Sequence, residues 1–144
     1  MWYSEAIKKK HPTKLQEDYN MKKFAICRHC GNIIEMVHDA KVPVICCGEK
    51  MEVLVPNTVE ASGEKHIPVV ILEGSKVIVN VGSVDHPMVA EHFIEWVYVE
   101  TENGGYRKDL HPDSAPHVEF ELGNDKAVAV YAYCNLHGLW KTDL

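Results

Sequence analysis

Four cysteines stand at Cys27, Cys30, Cys46 and Cys47, in the pattern C-x-x-C…CC, inside a stretch poor in large apolar side chains. Residues 22–55 carry only short β-like runs (FAIC, NIIEMV, VPVIC), punctuated by the turn formers Gly31, Asn32, Pro43 and Gly48. So short a segment cannot bury enough apolar surface to hold itself together, and it needs a staple. Disulfides are a poor one, because the adjacent Cys46 and Cys47 bond to each other only with strain. A thioredoxin-like redox motif is also disfavoured, since no βαβ pattern surrounds the C-x-x-C pair. Four thiolates around one tetrahedral ion, iron or zinc, satisfy both constraints. His29 lies inside the knuckle, but four thiolates already complete such a shell.

The rest of the chain reads as strands. IPVVILE (67–73), a Gly-Ser turn and KVIVNVG (76–82) form a hairpin pattern. HFIEWVYVET (92–101), YRKDL, HVEFEL and AVAVYAYC follow at short spacing, with no helical periodicity between them. The expectation is an all-β protein in which residues 22–55 form a small metal-stapled domain and residues 56–144 an antiparallel β-sandwich. VPNTVEASG (55–63) joins the two, and residues 1–21 form a polar N-terminal extension without an assigned role.

Composition narrows the partners. The formal net charge is −6 and the only basic run is KKKHPTK near the start, so neither nucleic acid nor an anionic membrane is expected as a partner. No apolar stretch approaches the roughly 18 residues of a membrane span, and the N-terminus has no apolar signal-peptide core. The expected compartment is the cytoplasm, where thiols stay reduced and cysteines serve as ligands, nucleophiles or core residues.

The fifth cysteine, Cys134, lies far from the others in YCNLHG (133–138), with His137 three residues later. Taken alone this pair is a buried thiol beside a histidine, a nucleophile with its base, or two ligands of one metal. C-x-x-H matches no hydrolase signature and no oxyanion-hole motif accompanies it. Of the nine histidines, four fall in ordered stretches: His66 in GEKHIP, His86 and His92 in DHPMVAEH, and His137. His86 and His92, six residues apart, do not share a helical face, so a loop has to bring them together. His11, His29, His38, His111 and His117 are read as non-ligands.

The vicinal pattern C-x-x-C…CC resembles desulforedoxin and the N-terminal domain of desulfoferrodoxin. EKH, HPM-x-x-x-H and CN-x-HG, in this order and accompanied by IEW (94–96) and HG-x-W (137–140), resemble the catalytic domain of the superoxide reductases, the desulfoferrodoxin and neelaredoxin family. The resemblance runs from about Phe24 to Lys141. It implies an immunoglobulin-like sandwich after a rubredoxin- or desulforedoxin-like domain, and two iron ions per chain. One iron would be held by Cys27, Cys30, Cys46 and Cys47, where zinc is a possible substitute. The other would take His66, His86, His92 and His137 in a plane and the Cys134 thiolate on the axis.

The implied reaction is the one-electron reduction of superoxide to hydrogen peroxide without release of dioxygen. Neutral imidazoles favour ferrous iron, and an anionic thiolate keeps it electron-rich. Lys65 would attract the anion and hold a proton-supplying water, while Glu64 would close the sixth position of the ferric ion. The backbone N–H groups of Asn135 and Leu136 are expected to hydrogen-bond the Cys134 sulfur and tune it. The resemblance also implies a small electron donor such as rubredoxin and a homodimer. On the residues alone two other readings stay open: a non-catalytic iron electron-transfer module, and a zinc-stapled interaction domain with incidental histidines.

Overall fold

The computed structural model of the protein describes residues 23–144. The 1–21 extension, with His11, lies outside the described residues. Among the described residues the protein is all-β apart from one helical turn, and the chain divides into two compact units, one ending at Val53 and the other spanning Leu54–Leu144.

In the first unit β1 (Lys23–Ile26) pairs antiparallel with β2 (Ile33–Met36) on one side. On its other side it meets the two-residue β5 (Glu52–Val53). A second ribbon joins β3 (Ile45–Cys46) to β4 (Glu49–Lys50). Among the described residues of this unit, the buried apolar ones are Phe24, Ala25, Ile26 and Cys27, while Val37, Val42 and Ile45 face solvent. That thin core agrees with the need for a staple.

The second unit is a sandwich of two antiparallel sheets. β6 (Pro68–Glu73), β7 (Lys76–Val81) and β10 (His117–Glu121) form one, in the order β10-β7-β6. β8 (Ile94–Thr101), β9 (Gly104–Asp109), β11 (Ala127–Cys134) and β12 (Gly138–Asp143) form the other, in the order β12-β11-β8-β9. Alternation decides which side chains meet. Val77, Val79 and Val81 of β7 and Val118 and Phe120 of β10 face Ile94, Val97 and Val99 of β8 and Val130, Ala132 and Cys134 of β11 in one continuous core. Cys134 therefore ends its strand inside the core, fully buried.

Three elements depart from the sequence reading. Gly63–His66 forms a single helical turn, α1, too short to leave any 3.6-residue pattern in the sequence. Residues 138–143, not expected as a strand, form β12, because Gly138 at φ +76° closes a tight hairpin that returns GLWKTD along β11. The long strand starts at Ile94 rather than His92, since residues 89–92 close on themselves in an isolated bridge.

Candidate metal centres

In the first unit the C-x-x-C loop folds as a knuckle. Gly31 N–H donates to Cys27 O at 2.8 Å and Cys27 N–H to Asn32 O at 2.8 Å, with Gly31 at φ +86°. Cys47, at φ +53°, and Gly48 turn the second pair toward the first. The sulfurs of Cys27, Cys30, Cys46 and Cys47 all lie within 4.8 Å of one another, and no disulfide forms. Cys30 Sγ and Cys46 Sγ are 3.6 Å apart. That is far beyond an S–S bond of about 2.05 Å. It matches one edge of a tetrahedron with metal–sulfur bonds of about 2.3 Å. The backbone N–H of Cys30 chiefly draws the Cys27 thiol down to about 6, while hydrogen bonding with Cys30 and Cys27 pushes Cys47 up to about 12. The four sulfurs thus compete for negative charge, and a shared cation relieves that competition.

The second cluster is assembled by loops at one end of the sandwich. His66 ends α1, His86 follows β7, His92 precedes β8, and His137 sits in the β11–β12 turn just past Cys134. Ring centroids are 4.6 Å apart for His66–His86, 4.6 Å for His86–His92, 5.1 Å for His92–His137 and 4.9 Å for His137–His66. Each neighbouring pair is nearly perpendicular, and His66 to His92 across the middle measures 6.3 Å. The four imidazoles form a square in the order 66, 86, 92, 137.

Hydrogen bonds outside the square set which nitrogen faces in. His66 Nδ1 lies 2.6 Å from Ser62 O and His86 Nδ1 2.6 Å from Pro87 O. A carbonyl only accepts, so both Nδ1 atoms carry the proton and both Nε2 atoms present bare lone pairs. Yet His86 Nε2 lies 3.2 Å from His66 Nε2, and His66 Nε2 lies 3.1 Å from His137 Nδ1. Two facing lone pairs repel unless a cation sits between them. About 3 Å is the separation of imidazole nitrogens at right angles on a metal with bonds near 2.1 Å. His92 Nε2 is buried with no hydrogen-bond partner, a further ring nitrogen that a bound cation would satisfy. His66, His92, Cys134 and His137 offer ligand atoms within 4.8 Å of one another, and His86 joins them through its contact with His66. The donor set fits a metal ion.

Burial favours the neutral form of three of these imidazoles: it lowers His66 and His92 and takes His86 down to about 4. Burial pushes the Cys134 thiol up, opposed by the backbone N–H groups of His137 and Leu136. The sulfur is thus approached by Leu136 and His137 rather than by Asn135 and Leu136. Asn135 N–H turns away and donates to Phe93 O at 3.2 Å. Trp140, which sequence reasoning did not assign a role, stacks on His66 at 4.8 Å and donates Nε1–H to His137 O at 3.1 Å.

Glu64 and Lys65 are exposed on α1, and the Lys65 charge contributes to lowering both His66 and His92. Their backbone is moored by the turn that follows β7. Gly82, at φ +63°, lies so close that a Cβ there would stand 2.2 Å from Glu64 O. Val84 N–H and Ser83 Oγ–H then donate to that same carbonyl at 2.9 and 3.3 Å. His29, His38, His111 and His117 are all exposed, and none joins either cluster.

Comparison with known proteins decides the family. The desulfoferrodoxin family model matches residues 58–143. The chain belongs to the desulfoferrodoxin family. A desulfoferrodoxin homolog of Archaeoglobus fulgidus is 45% identical over 116 residues, covering 81% of this chain and 92% of that protein. The desulfoferrodoxin of Nitratidesulfovibrio vulgaris is 44% identical over 117 residues, with the same coverages. Among solved structures, the superoxide reductase from Treponema pallidum superposes with a TM-score of 0.73 at 40% identity, over 85% of this chain and 99% of that one. The likeness therefore extends beyond the sandwich into the first unit.

Proposed function

We propose that this protein is a superoxide reductase: one superoxide, one electron and two protons give one hydrogen peroxide, with no dioxygen released. The observation that carries the reading is the square of four inward-facing imidazoles closed by a buried cysteine. The solved superoxide reductase that the chain resembles supports the same activity.

His66, His86, His92, Cys134 and His137 would hold one iron, and Cys27, Cys30, Cys46 and Cys47 a second, with zinc a substitute at the four-cysteine site. Iron held by these residues would supply a one-electron couple for the reduction of superoxide. The chain's own residues do the rest. Ser62 O and Pro87 O fix two imidazoles in the Nδ1–H tautomer, so that Nε2 is the ligand atom. The Leu136 and His137 N–H groups steady negative charge on the Cys134 sulfur. Lys65 gives an acidic protein a local positive charge that draws in a small anion and holds the water that delivers a proton. Glu64, two residues before His66, would be a carboxylate available to bound iron.

In this reading residues 22–55 are the desulforedoxin-like domain and residues 56–144 the catalytic one. A small donor protein such as rubredoxin returns the electron. The chain works as a homodimer in the cytoplasm, where thiolate ligands stay reduced. No helix among the described residues is long and apolar enough to cross a membrane.

The test is stoichiometric. The metal content is measured, a known dose of superoxide is added to the reduced protein, and peroxide and dioxygen are counted. One peroxide per superoxide without dioxygen supports the reading. Half that peroxide with dioxygen evolved would replace it by dismutation, and unchanged superoxide would leave an electron-transfer or structural module.

A further inference from the structure

Three of the proposed ligands come from two separate chain segments, and one amide side chain spans the gap between them. Asn135 lies between Cys134 and His137 in the β11–β12 turn. Its Oδ1 accepts the Phe93 N–H at 2.9 Å, its Nδ2 donates to Glu91 O at 3.0 Å, and its own N–H donates to Phe93 O at 3.2 Å. The donor and the acceptor it meets are backbone groups of fixed polarity, so the orientation of the amide is determined by its partners. The two residues it grips are those on either side of His92.

His92 needs such a grip. His66 and His86 are each oriented by a carbonyl at their own Nδ1. Among the described residues no hydrogen bond orients the His92 ring, and its Nε2 is buried and unpartnered. The His92 backbone is committed to Val89 through a reciprocal pair of hydrogen bonds at 3.0 Å, which shapes the 89–92 loop but ties it to nothing in the β11–β12 turn. That turn, for its part, does not depend on the Asn135 side chain. Cys134 pairs with Gly138 across the ladder, Gly138 supplies the left-handed bend, and Trp140 holds His137 O. Both side-chain bonds of Asn135 leave their own hairpin.

We propose that Asn135 is a positioning residue for His92: its side-chain amide sets the 91–93 segment against the Cys134–His137 turn and so closes the four-histidine square. The inference rests on the ligand set given above. Ordering of this kind acts on the metal, and losing an outer partner typically weakens metal affinity 10–100-fold.

The test is a double-mutant cycle on the full chain, with the four-cysteine site first filled by one equivalent of zinc and the second site then titrated with cobalt(II). Asn135→Ala is expected to weaken cobalt binding about 10–100-fold. It should shift the ligand-field bands toward those of His92→Ala while keeping the sulfur-to-cobalt charge-transfer band. In a His92→Ala background, Asn135→Ala should cost nothing further, because its effect passes through His92. Asn135→Asp keeps the acceptor for Phe93 N–H but sets an oxygen against Glu91 O, and it should fall between wild type and Asn135→Ala. If Asn135→Ala lacks the native far-UV circular dichroism, the cycle is run with Asn135→Asp and judged by the same outcomes. Additive losses, or a lost charge-transfer band, would overturn the positioning role while leaving the ligand set intact. A His92→Ala variant that binds cobalt like wild type would overturn the ligand set and the proposal with it.

Discussion

Replacing Gly82 by alanine tests whether the sandwich places the Glu64–Lys65–His66 turn by direct backbone contact. Gly82 is at φ +63°, and an added Cβ would stand 2.2 Å from Glu64 O, 2.6 Å from Lys65 C and 2.8 Å from Glu64 C. Real Cβ contacts essentially never fall below 3.0 Å, so the α1 backbone has to retreat by at least about 0.8 Å. The left-handed conformation alone costs about 1–2 kcal/mol for a non-glycine residue. The retreat also breaks the bonds from Val84 N–H and Ser83 Oγ–H to Glu64 O, about 1 kcal/mol each. Gly74→Ala is the control, since Gly74 sits at φ +59° with nothing within 4 Å of its added Cβ. Gly82→Ala is therefore expected to cost about 2 kcal/mol more than Gly74→Ala. For a unit of this size that is a further fall in Tm of roughly 8–16 °C. Because His66 rides on the displaced turn, superoxide turnover should also drop, by up to about 10²-fold for an ångström of misplacement. Circular dichroism melts of the full-length variants measure the first effect, and stopped-flow superoxide decay measures the second. Equal Tm losses in the two variants, with turnover unchanged in Gly82→Ala, would refute the contact argument.

Cys134→Ser should leave a folded sandwich, because a hydroxyl replaces a thiol of similar size, yet abolish the sulfur charge-transfer band and most reductase activity; retained activity would remove the thiolate from the mechanism. Lys65→Ala should slow the bimolecular reaction with superoxide several-fold and flatten its dependence on ionic strength. An unchanged rate at low salt would end its steering role. In the metal-free protein His66, His86 and His92 all titrate below an ordinary imidazole, His86 near 4. The unfolded chain therefore binds protons first, and folding stability should decline as pH falls from about 6.5 toward 4 and be insensitive to these groups above that window. Urea midpoints of the metal-free protein at pH 7.5 and 5 check this, and a midpoint that does not fall would contradict it. Cys30→Ser should raise amide exchange throughout residues 23–53 and leave the strands of Leu54–Leu144 protected.

The cysteine pattern could be read because local spacing is itself the constraint: a core-poor segment with C-x-x-C and a vicinal pair has few ways to be stable. The sandwich could be read because alternation in KVIVNV and AVAVYA commits one face of each strand to a core. Both properties are local, and local patterns survive in one dimension. α1 and β12 were missed for the converse reason: a four-residue turn has no period, and GLWKTD becomes a strand only because β11 is beside it.

The sequence by itself determined which chemistry is available: nine histidines, five cysteines, a turn at each ordered motif, and a lysine beside one of them. Only the tertiary structure decided how that chemistry is arranged. It set the cyclic order of the imidazoles, with His66 across from His92. It turned Leu136 and His137, rather than Asn135, toward the sulfur, and left the Asn135 amide free to bridge two loops. It also seated Gly82 against the Glu64 carbonyl. None of these follows from spacing, because each depends on loops far apart in the chain meeting at one end of two packed sheets. That meeting is fixed by the burial of valines and isoleucines that touch no metal.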